Sequence, residues 1–503
     1  MITKIRSSGI LLPVQSLASK YGIGDLGPAA RDFVSFLHAA GQHVWQILPV
    51  TPTVAEHGHS PYHSPSAFAF NPMLISPEQM AEQGFLDKKD LPADTDTREA
   101  SDRIDYYAAW NLKKDLFSKA FELHRKDPDF KAFCRKNEYW LNDYALFSVL
   151  TSHYKGKYWT HWLRGLARRK PKILASASRQ LSEPIARTCF LQYLFYRQWI
   201  DLKAFCARHH IRIMGDMPIY VPLHSADVWC RPGLFKLDKD FRPVSVSGVP
   251  PDYFSDTGQL WGHPVYDWDA HKKEAFDWWT RRISHHLELF DSLRIDHFRG
   301  LVACWEVPAN ETTALNGRWR KVPVHRFFNA LHRGLSCMPL VAEDLGYITP
   351  DVREVMAEYD LPGMRVLVFG FTGDPAGNPN APHKVEKNSV VYTGTHDTNT
   401  ARGWFETEAA ETARKRACIY FGAKLSGKTF ARALTRAAMM SPARLCILPV
   451  QDVLALGQQA RINHPAKQKG NWIWKLTPDQ LTPNTAARLK RLTWIYGRLQ
   501  QEL

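Results

Sequence analysis

Eight short β-rich runs recur along the 503-residue chain, most of them followed by a stretch with helical spacing, and no other feature restricts the possible folds as much. The runs occupy residues 9–13, 43–48, 211–215, 292–296, 339–343, 365–369, 389–393 and 444–448. After the first, Phe33, Phe36, Leu37 and Ala40 fall at i, i+3, i+4 and i+7, the spacing of one helix face. After the fifth, Thr349 is placed to cap a helix over 351–359, with Pro350 in its first turn. Eight alternating units predict the α/β class and a (β/α)8 TIM barrel with inserted subdomains. Residues 1–503 are accordingly read as a single catalytic barrel carrying two insertions. The first, about 76–187, is charged and aromatic at helical spacing and is expected to form a mainly helical subdomain. The second, about 220–268, is rich in Pro, Gly and aromatic residues and is expected to form substrate loops with short strands.

Composition agrees with a large folded core. The chain is 45% hydrophobic and holds 17 Trp, 18 Tyr and 26 Phe, enough to fold without a disulfide or metal staple. Most of the tryptophans are expected in that core. Eight cysteines (Cys134, Cys189, Cys206, Cys230, Cys304, Cys337, Cys418 and Cys446) are scattered singly, so reduced thiols are expected and structural zinc is not. No stretch approaches the ~18 apolar residues of a membrane span, and the first residues lack the apolar run of a secretory signal. A cytoplasmic protein without a membrane partner is therefore expected. The net charge of +15 raises the question of an anionic partner, and Arg164, Arg168, Arg169, Lys170 and Lys172 crowd one short stretch. With no zinc-finger, KH or RRM signature beside them, a solvated basic face is the preferred reading, and no nucleic-acid partner is expected.

Polar residues collect where the runs end. Asp216 follows 211–215, Arg294 and Asp296 close the fourth run, Glu343 and Asp344 the fifth, and His396 and Asp397 follow the seventh. In a TIM barrel the C-terminal strand ends form the active face. One such acid often caps a helix or pairs with an Arg; three from three strands, with Arg and His beside them, point to chemistry. Clustered carboxylates repel, so one can be held protonated while another stays ionised beside Arg294, the division of labour that glycosidic-bond chemistry needs.

Several longer motifs bring a family into view. They include Ser60-Pro-Tyr62, Ser66-Ala-Phe-Ala-Phe-Asn-Pro72, Gly215-Asp-Met-Pro-Ile-Tyr-Val221 and Gly248-Val-Pro-Pro-Asp-Tyr-Phe-Ser-Asp-Thr-Gly-Gln-Leu-Trp-Gly262. Arg294-Ile-Asp-His-Phe-Arg-Gly300, Ala342-Glu-Asp-Leu-Gly346, Gly394-Thr-His-Asp397 and Arg461-Ile-Asn463 complete the set. In this order they resemble the amylomaltases, or 4-α-glucanotransferases, of glycoside hydrolase family 77 type, from residue 8 to Trp472. The resemblance implies transfer of α-1,4-glucan segments between maltooligosaccharides, or to glucose, by a retaining double displacement. It implies that Asp296 is the nucleophile, Glu343 the general acid/base and Asp397 the carboxylate gripping the transferred sugar. A retaining mechanism requires the first two carboxyls ~5–5.5 Å apart. Asp216, His396 and Asn463 match family positions that contact sugars; Tyr62, Asp252, Phe254 and Trp261 match the loops lining the glucan groove. Arg294 is expected to hold Asp296 ionised. Cys304, Thr398 and the 56–60 turn depart from the family pattern without touching a catalytic carboxylate, which leaves chain-length preference open.

No cofactor is expected. His57, His59 and His63 form H-x-H-x3-H, but no helix presents the rings and only Glu56 accompanies them, so no metal is expected there. Two rival readings stand beside glucan transfer. One is an α-1,4-glucan hydrolase using the same carboxylates with water as acceptor; the other is a non-catalytic glucan- or nucleic-acid-binding barrel. The oligomeric state, preferred donor length and balance of linear and cyclic products are not encoded in any feature recognised here.

Overall fold

The computed structural model describes residues 5–92, 100–251, 255–465, 467 and 469–500. Its strands are β1 (Ser7–Leu11), β2 (Val44–Gln46), β3 (Arg212–Met217), β4 (Ser245–Val249), β5 (Gln259–Pro264), β6 (Ser292–Ile295), β7 (Ala303–Pro308), β8 (Arg318–Lys321), β9 (Leu340–Ala342), β10 (Gly363–Val366), β11 (Ser389–Tyr392) and β12 (Leu445–Pro449). Eight of them form one sheet in the order β10-β11-β12-β1-β2-β3-β6-β9, every pair parallel. Each strand thus lies beside the strand before or after it in the barrel sequence. The two ends of the sheet meet where Ala342 N–H donates to the Pro362 carbonyl at 2.9 Å, so the sheet is nearly closed into a (β/α)8 barrel. Its strands are buried on both faces, β1, β6, β11 and β12 without exception, because side chains fill the interior while helices cover the outside. Gly215 in β3 is part of that fit: a Cβ there would meet the Phe290 ring at 2.2 Å.

All eight expected runs supply a barrel strand, with shifted ends. The sixth strand is Gly363–Val366, two residues ahead of the expected run, because Leu367–Phe371 turns into a 3-10 helix. Helix Pro350–Glu358 begins with its proline in the first turn, as expected. Thr349 stands at its N-cap position but makes no capping bond; its hydroxyl accepts instead from Arg299 Nη1 at 2.6 Å. Six tryptophans, Trp45, Trp159, Trp199, Trp229, Trp279 and Trp474, are fully buried.

Between β2 and β3 the chain forms helices Tyr106–His124, Pro128–Lys136, Glu138–His153, Pro171–Gln180 and Ser182–Arg208. The last crosses residue 187 without a break and leads directly to β3. Of the basic residues at 164–172, Arg169 lies over the Trp229 ring at 4.3 Å and Arg168 over Phe241 at 5.2 Å, so part of that charge is anchored to aromatic faces.

A second sheet, antiparallel and ordered β5-β4-β7-β8, lies beyond the barrel strands. Only its first two strands fall within the expected loop region. The other two come from the segment after β6, where Arg318-Trp-Arg-Lys321 offers no apolar alternation to read.

The helical segment is tied down by one buried cation. Lys113, on the Tyr106–His124 helix, is 0% exposed and donates to Asp25 Oδ2 at 3.2 Å and to the Met73 and Ile75 carbonyls at 2.8 and 2.9 Å. All three ammonium donors are therefore satisfied, which is what makes burial of the charge tolerable. Burial lowers the Lys113 pKa against the pull of Asp25. Lys113→Ala should leave Asp25 buried beside an empty space and cost about 3–5 kcal/mol, read as a loss of stability in urea unfolding. The double variant Lys113→Met with Asp25→Asn should recover part of it.

Candidate active site

The register of the barrel builds the centre of the site. Asp216 on β3 lies opposite Arg294 on β6, and Arg294 Nη1 donates to both Asp216 oxygens at 2.7 and 2.8 Å. The same guanidinium places Nη2 2.9 Å from Asp296 Oδ1, one residue past the end of β6. Arg294 and Asp216 side chains are 4% and 0% exposed, whereas Asp296 is 26% exposed and faces the cleft. Tyr62 closes the far side, donating its hydroxyl to Asp216 Oδ2 at 2.5 Å. Asp216, which the resemblance places among the sugar contacts, is thus enclosed by Arg294 and Tyr62 in this structure.

Glu343 follows β9 and is held by backbone. Its Oε2 accepts from His297 N–H and its Oε1 from Leu345 N–H, both at 2.8 Å. His297 reaches this geometry with a left-handed φ of 48°, immediately after Asp296. The bond therefore couples the two carboxyls through one peptide unit.

Asp397 sits on the loop after β11. Asn463 Nδ2 donates to its Oδ1 at 2.6 Å, and His396 Nε2 lies 3.2 Å from its Oδ2. Arg461 secures both partners, donating to the carbonyls of Asp397 at 3.0 Å and Asn463 at 2.6 Å. The Tyr62 ring stacks on His396 at 5.2 Å and 10°, and Trp472 tilts against both rings. Trp261, on β5, stands edge-on to His297 at 4.6 Å and brings the second sheet to the Glu343 side of the cleft.

These surroundings push the three carboxyls apart. Burial raises Glu343 to about 7, Asp296 adding to it and Arg294 and the two N–H donors opposing. Burial also raises Asp296, to about 6, with Arg294 opposing and Asp216 and Asp397 reinforcing. Of the two, Glu343 holds its proton to the higher pH, because the guanidinium lies directly against Asp296. Burial would raise Asp397 too, but His396, Asn463 and Arg294 outweigh it and hold the group well below the usual carboxylate range. His396 is correspondingly raised, Asp397 overcoming burial. One protonated acid, one anion beside an arginine and one permanently ionised carboxylate face a single cleft.

The structure brings together Tyr62, Asp216, Trp261, Arg294, Asp296, Glu343, His396, Asp397 and Asn463. Asp252 and Phe254 lie outside the described residues. His57 and His63 rings approach to 3.5 Å and His63 and His263 to 4.9 Å, while His59 stacks on Tyr106 at 3.8 Å. Burial, then His263, His57 and His224, pushes His63 down to about 2. Among the described residues no group of three or more His, Cys, Asp or Glu is arranged to hold a metal ion. Two residues at the site escaped sequence reasoning. Trp472 ends the stretch that resembles the family, but nothing local marks it as the ring behind Tyr62 and His396; His297 acts through its main chain, which a side-chain pattern does not reveal.

A nearly closed parallel barrel with carboxyls of unequal proton affinity at its C-terminal rim is the arrangement of an enzyme that works on glycosidic bonds. Comparison with known proteins narrows this. A sequence profile described as 4-alpha-glucanotransferase matches residues 12–482. The 4-alpha-glucanotransferase of Aquifex aeolicus is 43% identical over 98% of this chain and 100% of its own length, and that of Thermus thermophilus is 43% identical over 98% and 99%. The amylomaltase of Streptococcus agalactiae, solved in complex with acarbose, superposes with a TM-score of 0.92 at 36% identity over 98% of this chain and 99% of that one. The chain belongs to the 4-alpha-glucanotransferase family of enzymes.

Asp216→Asn tests the central ion network. Removing that anion leaves a buried guanidinium half-unpaired, at a stability cost of about 3 kcal/mol. It also removes a negative neighbour of Asp296, so the Asp296 carboxyl should ionise at lower pH. The acid limb of the rate profile should move to lower pH while the unfolding midpoint falls.

Proposed function

We propose that the protein transfers α-1,4-glucan segments between maltooligosaccharides by a retaining double displacement, with Asp296 as nucleophile, Glu343 as general acid/base and Asp397 as the grip on the transferred sugar. The observation that carries this reading is the unequal pair: Asp296 against Arg294, and Glu343 held up by burial. In the first step Asp296 attacks the anomeric carbon, the glycosidic C–O bond breaks, and Glu343 gives its proton to the departing oxygen. The product is a glycosyl ester on Asp296 and a carboxylate at Glu343. That carboxylate then takes the proton of an incoming sugar hydroxyl, whose oxygen displaces Asp296. Two inversions give net retention. Asp397, kept ionised by His396 and Asn463, accepts hydrogen bonds from hydroxyls of the bound ring.

Carbohydrate as acceptor, in preference to water, fits the cleft walls. Tyr62, backed by the buried Trp472, and Trp261 are half-buried aromatic side chains suited to stack on the C–H side of a glucose ring and displace water. The acarbose complex of the related amylomaltase supports a glucan-like ligand here. Eight unpaired cysteines support a reducing, cytoplasmic setting, and no helix among the described residues is long and apolar enough to cross a membrane.

Maltotriose alone tests the reaction class: transfer yields glucose plus oligomers longer than the substrate, whereas a hydrolase yields only shorter ones. Glu343→Gln should slow turnover of maltotriose about 10²–10⁴-fold. It should spare the first step on α-maltosyl fluoride, whose leaving group needs no proton. Asp296→Asn should abolish turnover of both donors, and near-normal rates in that variant would remove the nucleophile assignment.

The pH profile follows from the same pair. Asp296 attacks only as an anion, so kcat/KM should fall as pH drops through about 6, where it becomes protonated. Glu343 donates only as an acid, so the rate should fall as pH rises through about 7. A narrow bell centred between these values is the expected outcome for maltotriose.

A further inference from the structure

One buried carboxylate near the site has no place in the reaction above. Asp452 lies in the short helix Val450–Val453, directly after β12, and is 2% exposed. Its Oδ2 accepts from Thr393 Oγ1 at 2.6 Å and its Oδ1 from Ala401 N–H at 2.7 Å. Thr393 is the first residue after β11, and Ala401 opens the next helical turn. The seven residues between them include His396 and Asp397. A single carboxylate therefore fastens both ends of the loop that carries them.

No cation compensates it. Arg461 lines the same small cavity, but its guanidinium bonds to Glu408 Oε1 and to the carbonyls of Asn463 and Asp397. Burial raises Asp452 to about 6, only Thr393 and the Ala401 N–H opposing. An apolar residue in that space would avoid the desolvation cost, so the carboxylate is costly for a group that only fills volume. What it supplies is two short hydrogen bonds to points that set the loop's span. Within the loop Thr395 N–H donates to Thr398 Oγ1 at 3.0 Å, and a Cβ on Gly394 would meet that oxygen at 2.6 Å. The loop is thus compact, and a shift at either anchor passes to Asp397.

We infer that Asp452 is a positioning residue for glucan transfer: by clamping Thr393 and Ala401 it sets the placement of Asp397 at the bound sugar. This rests on the role proposed above for Asp397. A displacement of about 1 Å at a reacting group costs on the order of 100-fold in rate. Asp452→Ala should therefore lower kcat on α-maltosyl fluoride by about 100-fold while KM changes by less than about threefold. Thr393→Val should lower kcat in the same way, and Thr393→Ser, which keeps the hydroxyl, should restore it. If Asp452→Ala does not fold, the Thr393 pair decides the matter alone. In an Asp397→Asn background, Asp452→Ala should add less than about twofold, since it acts through the group already removed.

Three results would overturn the inference: a folded Asp452→Ala enzyme with wild-type kcat, a Thr393→Ser variant as slow as Thr393→Val, or the full Asp452 penalty persisting on top of Asp397→Asn. Near-wild-type turnover in Asp397→Asn alone is a different result; it would instead remove the role assigned to Asp397.

Discussion

The guanidinium of Arg294 is the contact on which the rest of the site depends. It is buried in the barrel wall, bridges Asp216 to Asp296, and takes no part in bond-making itself. Desolvation alone would lower the pKa of such an arginine, and its anionic neighbours raise it well above the ordinary value instead. A cation that cannot titrate is what lets Asp296 ionise in a place where water has been largely removed. Lysine would supply a point charge; the planar fork supplies two directions at once, one to Asp216 on the neighbouring β3 and one to Asp296 just past the end of its own strand.

From that fixed charge the asymmetry of the pair follows. Asp296 lies 2.9 Å from the guanidinium; Glu343 has two backbone N–H donors and no direct cation. Hydrogen bonds from N–H groups favour the anion, yet burial at Glu343 outweighs them, so the carboxyl keeps its proton to about pH 7. Asp397 is treated in the opposite way. It stands 44% exposed at the cleft, where His396, Asn463 and Arg294 keep it charged through the range in which the other two titrate. Three chemically equivalent groups acquire three behaviours from neighbours that lie on different strands, which is why a barrel rim suits this chemistry better than any single loop.

Much of this was legible in the sequence, for physical reasons that also explain the gaps. Parallel strands buried on both faces read as continuous apolar runs, so all eight barrel strands could be located, and helical turns such as Leu367–Phe371 blurred only their ends. Strand-end carboxylates stood out because charge directly after an apolar run is unusual in itself. By contrast, β8 is short, mostly exposed and rich in charge, and the pairing of β7 with β4 and of β8 with β7 depends on contacts that no local pattern records. Asp216 reads from the sequence as one more polar group at the rim; only the β3–β6 register reveals it as Arg294's enclosed partner. His297 contributes a backbone N–H and a left-handed φ, neither of which a residue type specifies. Asp452 is separated from Thr393 by 59 positions, and nothing short of the β11–β12 pairing brings them together.

The second sheet shows how the same barrel chemistry can be directed toward a sugar acceptor. Bond cleavage requires only the carboxylates, and these rest on the barrel strands. Choosing what attacks the glycosyl ester is a separate problem, since water is small and abundant. The sheet β5-β4-β7-β8 draws strands from two different barrel loops and is therefore stiffer than either loop alone. It carries Trp261 to His297, whose N–H already holds the Glu343 carboxyl. Across the cleft Tyr62 stacks on His396 and donates to Asp216, so that wall too is rooted in the charge network. Apolar faces on both sides are fixed to the charge network, and in the proposed mechanism an acceptor ring that packs against them arrives already aligned with Glu343. Water gains nothing from those faces. On the proposed reading, acceptor selection and proton transfer are thus carried by one connected set of contacts, with Arg294 at its root.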